Sequence, residues 1–174
     1  LKANTSGQQN TAVGASAMVA NTTGSENVAV GYFALDANDG GNYNVALGWE
    51  AMTANSTASS NTAVGRKAMH DNTTGANLVA VGHTAMHNNS TGAGNIAIGA
   101  EALFTNTTGT QNTVVGYASN YSSTGDNNTT IGYNSQPSAA NADNQITLGN
   151  ANNDNLRCAD TSISALSDSR DKTN

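Results

Sequence analysis

Apolar residues along the first 150 positions come in two short clusters that keep a fixed phase. The first is a β-branched or Thr residue, an Ala, then Val, Leu or Ile, closed by Gly: Thr11-Ala12-Val13-Gly14, Val28-Ala29-Val30-Gly31, Val45-Ala46-Leu47-Gly48 and Ile96-Ala97-Ile98-Gly99. The second is Ala17-Met18, Ala34-Leu35, Ala51-Met52, Ala68-Met69, Ala85-Met86 and Ala102-Leu103. Between units lie polar runs such as Asn21-Thr22-Thr23-Gly24, Asn72-Thr73-Thr74-Gly75 and Asn106-Thr107-Thr108-Gly109. Gly14, Gly31, Gly48, Gly65, Gly82, Gly99 and Gly116 mark a spacing of 17 residues without a slip. A fixed period of this size predicts a solenoid, in which one unit cannot bury its apolar face and stability comes from stacked neighbours.

Each first cluster alternates with period 2, as a short strand does, so Val28 and Val30 share one face and Ala29 takes the other. In the Asn-Thr-Thr-Gly runs the Asn and Thr side chains are expected to bond local backbone and the Gly to adopt positive φ, which makes these runs turns. A strand, a corner at Gly, a second apolar spot and a polar turn make one rung. The predicted fold is therefore all-β, a parallel β-roll or solenoid over residues 1–150, with about nine rungs at ~4.8 Å each giving a rod of roughly 40 Å.

Only 10% of residues are charged and 5% aromatic. That bias alone could describe a disordered tract, but disorder gives no reason to place Val, Ile, Leu and Met in register. A rung with Ala at half its inward positions encloses little apolar volume, so burial between chains is the expected remedy, most economically in a symmetric oligomer about the long axis.

The units Asn27–Gly31 and Asn95–Gly99 resemble the Asn-x-Val-Ala-Ile-Gly repeat of trimeric autotransporter adhesin heads, which implies a β-roll associated as a homotrimer. The unit is longer than the usual head repeat by a few residues, taken up by the Asn-Thr-Thr-Gly turn. Similar repeats occur in bacteriophage tail fibres. After Gly132 and Gly149, where the spacing slips to 16 and returns to 17, the chain leaves the repeat. An exit or neck segment is expected over 151–166. The end, Ser167-Asp168-x-Arg170-x-Lys172-x-Asn174, resembles the opening of the intramolecular chaperone domain of phage tail spikes and fibres, the peptidase S74 family, which would occupy 167–174 and be cut short there. Asp171 stands where that family often has an apolar residue.

The resemblance implies a tail-fibre segment located in the virion, whose chaperone assembles the trimer and then releases itself by cleavage between Ser167 and Asp168. Ser167 would be the nucleophile and Lys172 its base; a Ser hydroxyl is inert at its ordinary pKa, and a desolvated Lys can activate it. The alternative setting is the head of a bacterial surface adhesin, which would continue into a coiled-coil stalk and membrane anchor, and no such signal is present in these residues. Since Leu1 opens halfway through a rung, the chain reads as a segment of a longer polypeptide.

Other candidate chemistry is thinner. The residues after each glycine include Tyr32, Trp49, Tyr117 and Tyr133, an aromatic ladder that could stack on sugar rings of a host surface glycan or meet a host protein; the plainer reading is that they pack on one another. His83 and His87 lie four apart, a spacing that pairs ligands on a helix, but His87 and His70 share a repeat position with Val19, Asp36, Thr53 and Phe104, read as variable and exposed. Two ligands on an open surface leave a metal site half built, so no metal or cofactor is assigned. Asp39-Gly40-Gly41-Asn42 is a single, incomplete version of a calcium-roll motif.

Glycan cleavage by paired carboxylates fits poorly, because Glu50 and Glu101 lie three rungs apart, ~14 Å, beyond the ~5–9.5 Å such a pair needs. Asp36 and Asp39 are expected to cap their turn. A formal net charge of −6 with no basic patch argues against nucleic acid. No stretch is apolar enough to span a membrane as a helix. One cysteine, Cys158, is no disulfide framework.

Overall fold

The computed structural model describes residues 1–121 and 124–152, and shows an all-β parallel solenoid with no helix among the described residues. Its strands are β1 (Thr11–Val13), β2 (Val28–Val30), β3 (Val45–Leu47), β4 (Thr62–Val64), β5 (Val79–Val81), β6 (Ile96–Ile98), β7 (Thr113–Val115), β8 (Thr129–Ile131) and β9 (Ile146–Leu148). They form one parallel sheet in chain order. Equivalent residues pair directly, Val28 with Val45 and Ala29 with Ala46, so the repeat period is also the pairing register.

The middle residue of each strand points in. Ala29, Ala46, Ala63, Ala80, Ala97 and Val114 are fully buried, while the branched residues on either side face outward. Opposite the sheet, Met18, Leu35, Met52, Met69, Met86 and Leu103 stack into the apolar core, all fully buried. These residues have φ of 50–54°, in the left-handed region. A β-branched side chain is a severe outlier there, which explains why this spot carries unbranched-at-Cβ Met or Leu and never Val or Ile.

Two asparagine ladders line the interior. Asn21, Asn38, Asn55, Asn72, Asn89 and Asn106 are buried, each giving one amide hydrogen to the side-chain oxygen of its counterpart one rung earlier, as Asn38 does to Asn21 at 2.7 Å, and another to the carbonyl three residues on. In the second ladder the Asn27 side-chain oxygen accepts from the Asn44 backbone N–H at 2.9 Å, and Asn27 Nδ2 donates to Gly41 O at 2.8 Å. Leu78 interrupts this second ladder, its backbone N–H still bonding Asn61 Oδ1. Buried amides of this kind are tolerated because their donors and acceptors are paired along the stack, the exception being Asn106 Oδ1 at the end of the first ladder, which has no partner.

The turn glycines differ from expectation. Gly24, Gly41 and Gly75 do not adopt positive φ; among those runs the constraint is space, since a Cβ on Gly24 would lie 2.5 Å from Gly41 O of the next rung and 2.6 Å from Asn38 Nδ2. Among the glycines, positive φ is found at the corners, 143° at Gly31 and 146° at Gly48, where a side chain would also run into the carbonyl of the next corner, and at Gly94.

Among the described residues the register slips once, between Tyr121 and Gly125. Thr105 N still bonds Tyr121 O at 3.0 Å in the phase of earlier rungs, whereas a Cβ on Gly109 would already lie 2.6 Å from the oxygen of Gly125, sixteen positions on. On both sides of it the interior turns polar: Ser119, Asn120, Thr130 and Ser135 occupy buried positions that are apolar in earlier rungs, with Ser119 Oγ donating to Thr130 Oγ1 at 3.1 Å.

Candidate functional site

Turning the small residue inward leaves an apolar stripe outside. Val13, Val28, Val45, Leu47, Val81, Ile96, Ile98, Ile131, Ile146 and Leu148 are exposed, on strands stacked in register along one side of the rod. Branched side chains were bound to share a face by the period-2 alternation; that this face is the outer one follows from the size of the rung, which leaves room only for a methyl opposite the Met and Leu stack. A surface two residues wide and about eight rung spacings long, ~38 Å, is more apolar continuity than a soluble monomer ordinarily shows.

Beyond the corner glycines runs the aromatic ladder. Tyr32 and Trp49 stack with centroids 6.5 Å apart and planes 11° from parallel, and Tyr117 and Tyr133 stack at 5.7 Å and 9°. All four remain exposed, so the rings pack on each other and still present their outer parts to solvent. Phe33 meets Tyr32 edge-on at 4.3 Å, and the cations of Arg66 and Lys67 sit 4.9 and 5.2 Å from the Trp49 ring. Arg66 Nη1 also contacts His83 Nε2 at 2.8 Å. This face therefore carries Tyr-Trp, then Arg-His, then Tyr-Tyr along the rod, a pattern suited to planar or hydroxylated ligands.

A second ring stack occupies the position read from the sequence as variable and exposed. His70 and His87 lie parallel at 5.0 Å, Phe104 follows at 5.1 Å and Tyr121 at 4.9 Å, all half-buried. The exposed reading is thus corrected: rings one period apart are neighbours and shield each other. His83 and His87 do not meet each other: His83 belongs to the Arg66 contact while His87 faces His70 and Asp71. Asp71 Oδ1 lies 2.5 Å from His70 Nδ1, and Asp71 Oδ2 lies 3.7 Å from His87 Nδ1.

Of the carboxylates, Glu50 pairs with Lys67 at 3.4 Å and with His70 Nε2 at 3.6 Å. Asp39 ties its turn to the previous rung, its backbone oxygen accepting from the amides of Thr22, Thr23 and Gly24 and its carboxylate from the Thr22 hydroxyl. Asp36 is half-buried, with Oδ1 unpaired. Burial holds its carboxyl above the ordinary range, Glu50 acting in the same direction, while local amides of Asp36 and Ala37 and the nearby His70 oppose the shift.

Ser167, Asp168 and Lys172, the expected autocleavage residues, and Cys158 lie outside the described residues. Comparison with known protein families, with curated proteins and with solved structures finds no match for this chain.

Proposed function

We propose that this chain is a structural and host-interaction segment of a phage tail fibre: a rod that assembles as a homotrimer under a C-terminal chaperone, which frees itself by cleavage between Ser167 and Asp168. The observation that carries the rod reading is the outward apolar stripe from Val13 to Leu148, which a chain on its own leaves in water. Association of like stripes about the long axis buries it with closed symmetry, and the thin Ala-lined interior gains from that burial. The adhesin-head repeat supports three chains in particular, and the Ser167-Asp168-x-Arg170-x-Lys172-x-Asn174 motif supports the phage setting, hence a virion location. Contact with a host glycan or protein falls to the exposed rings of Tyr32, Trp49, Tyr117 and Tyr133. No substrate-directed chemistry is assigned to the repeats.

Sedimentation of the full-length product tests the assembly. A mass of three chains is expected, with dissociation on Ile98→Asp; a mass of one or two chains refutes the trimer. Mass spectrometry tests the setting. A mature C-terminus at Ser167, lost in Ser167→Ala, supports the chaperone; an uncleaved chain anchored in a bacterial outer membrane replaces the tail-fibre reading with that of a surface adhesin head.

A further inference from the structure

We infer that His70, Asp71 and His87 form a site for one divalent transition-metal ion of the zinc type, clamping two adjacent rungs. Their donor atoms, two imidazole nitrogens and a carboxylate oxygen, all lie within 4.8 Å of one another. Ligands at ~2.0–2.2 Å from a tetrahedral zinc ion stand roughly 3.3–3.6 Å apart, so the site closes by small side-chain rotations and not by backbone movement.

The backbone beneath is fixed. Asp71 N bonds His87 O at 2.9 Å, Ala54 N bonds His70 O at 2.9 Å, and Asn88 N bonds Phe104 O at 3.0 Å, so all three ligands sit on a hydrogen-bonded ladder. Phe104 packs on the far face of the His87 ring and holds its plane. Both imidazoles turn Nδ1 toward the same edge, where each also meets the Asx residue that follows it: Asp71 Oδ1 at 2.5 Å from His70, Asn88 Oδ1 at 2.6 Å from His87. This His-Asx pair fills the corner on these two neighbouring rungs alone; the same corner holds Asp36-Ala37, Thr53-Ala54 and Phe104-Thr105 elsewhere.

Two neutral imidazoles and one carboxylate are the donor set of borderline ions such as zinc, and not of calcium or magnesium, which select oxygen. Asn88 Oδ1 or a water completes four ligands. At the other ring nitrogen of His70, Glu50 Oε2 lies 3.6 Å from Nε2, a carboxylate placed to orient the imidazole with Nδ1 toward the ion. None of this rests on the trimer or on the cleavage at Ser167.

The test is a calorimetric titration of zinc chloride into the chelator-treated full chain, with ring-proton NMR of its three histidines. One ion per chain is expected, with the His70 and His87 resonances moving and those of His83 unmoved. His70→Ala and His87→Ala should each weaken binding by more than about tenfold, and Glu50→Gln by about tenfold, while His83→Ala leaves it intact. The absence of saturable binding overturns the site, as do unmoved His70 and His87 resonances in the unsubstituted protein, a readout that needs no variant to fold. Zinc binding that survives loss of both His70 and His87 overturns it equally.

Discussion

The Asn55 side chain donates to Asn38 Oδ1 at 2.8 Å and to Ala58 O at 3.1 Å, joining its own turn to the turn one rung earlier. Both asparagines are fully buried. Asn55→Ala leaves Asn38 Oδ1 without this donor and should cost about 1–3 kcal/mol. Asn55→Asp sets a carboxylate against that same oxygen, and burial raises its pKa in the folded state above the unfolded value. Between those two values the folded chain binds more protons, so stability falls as pH rises. Urea midpoints should therefore show Asn55→Asp worse than Asn55→Ala at neutral pH, the gap closing in acid. A pH-independent gap would contradict the buried ladder.

Glycine at position 48 and glycine at position 40 should answer oppositely to alanine. At Gly48 φ is 146° and an added Cβ would overlap Gly65 O and lie 2.6 Å from its carbonyl carbon. Gly40 has its nearest neighbour, Thr23 Oγ1, at 3.3 Å and stands where other rungs carry Ser or Thr. Gly48→Ala is expected to abolish ordered stacking around β3 and β4, read as loss of amide-exchange protection there. Gly40→Ala should be neutral or raise stability by about 0.4–1 kcal/mol, through the unfolded chain.

Asn120 occupies the core position that is Met or Leu in the earlier rungs, at a φ of 49°, and is fully buried with neither side-chain polar atom bonded. An unpaired buried amide carries a penalty of about 1–3 kcal/mol. Replacing it with Met restores the stack above Leu103 and should raise the thermal midpoint. A lower midpoint would show that the shortened rung lacks the volume for a longer side chain.

Asp36 should make the rod more stable in mild acid than near neutrality. Its carboxyl is held above the ordinary range chiefly by burial. From the unfolded value, about 3.9, up to the raised folded value, the native state holds the proton more tightly, so stability declines as pH climbs through that window. Asp36→Asn should flatten this slope in denaturation midpoints taken from about pH 4 to about pH 7, and should be the more stable protein at the upper end. An unchanged slope in the variant would assign the effect to other groups.

The strands, their parallel order and their register were legible because one period governs them: a glycine that can turn a corner and an alternation that can only be a strand recur together. Hidden from pattern was the direction of each face. Asparagine suits both turns and buried ladders, so Asn21 and Asn72 read as turn formers when they are interior cross-braces as well. Leu78 held a clue, since an apolar residue in an asparagine's place marks that place as inward. For His70 and His87 the informative number was the period itself, because in a stacked chain residues one period apart are closer neighbours than residues four apart. The histidines therefore pair across rungs, which a helical spacing rule cannot see. The aromatic stacking of Tyr32 on Trp49 followed from the same rule and was foreseeable.

Because every rung bonds its neighbours through equivalent atoms, the rod has a natural increment of length. Duplication or loss of one 17-residue unit between Gly31 and Gly99 keeps the strand pairing in register and changes the span by ~4.8 Å. An insertion of any other size has to be absorbed outside the strands, as the one-residue deficit between Tyr121 and Gly125 is. Reach is thus adjustable in whole steps by recombination within the repeat, with the two ends and whatever they attach to left unaltered.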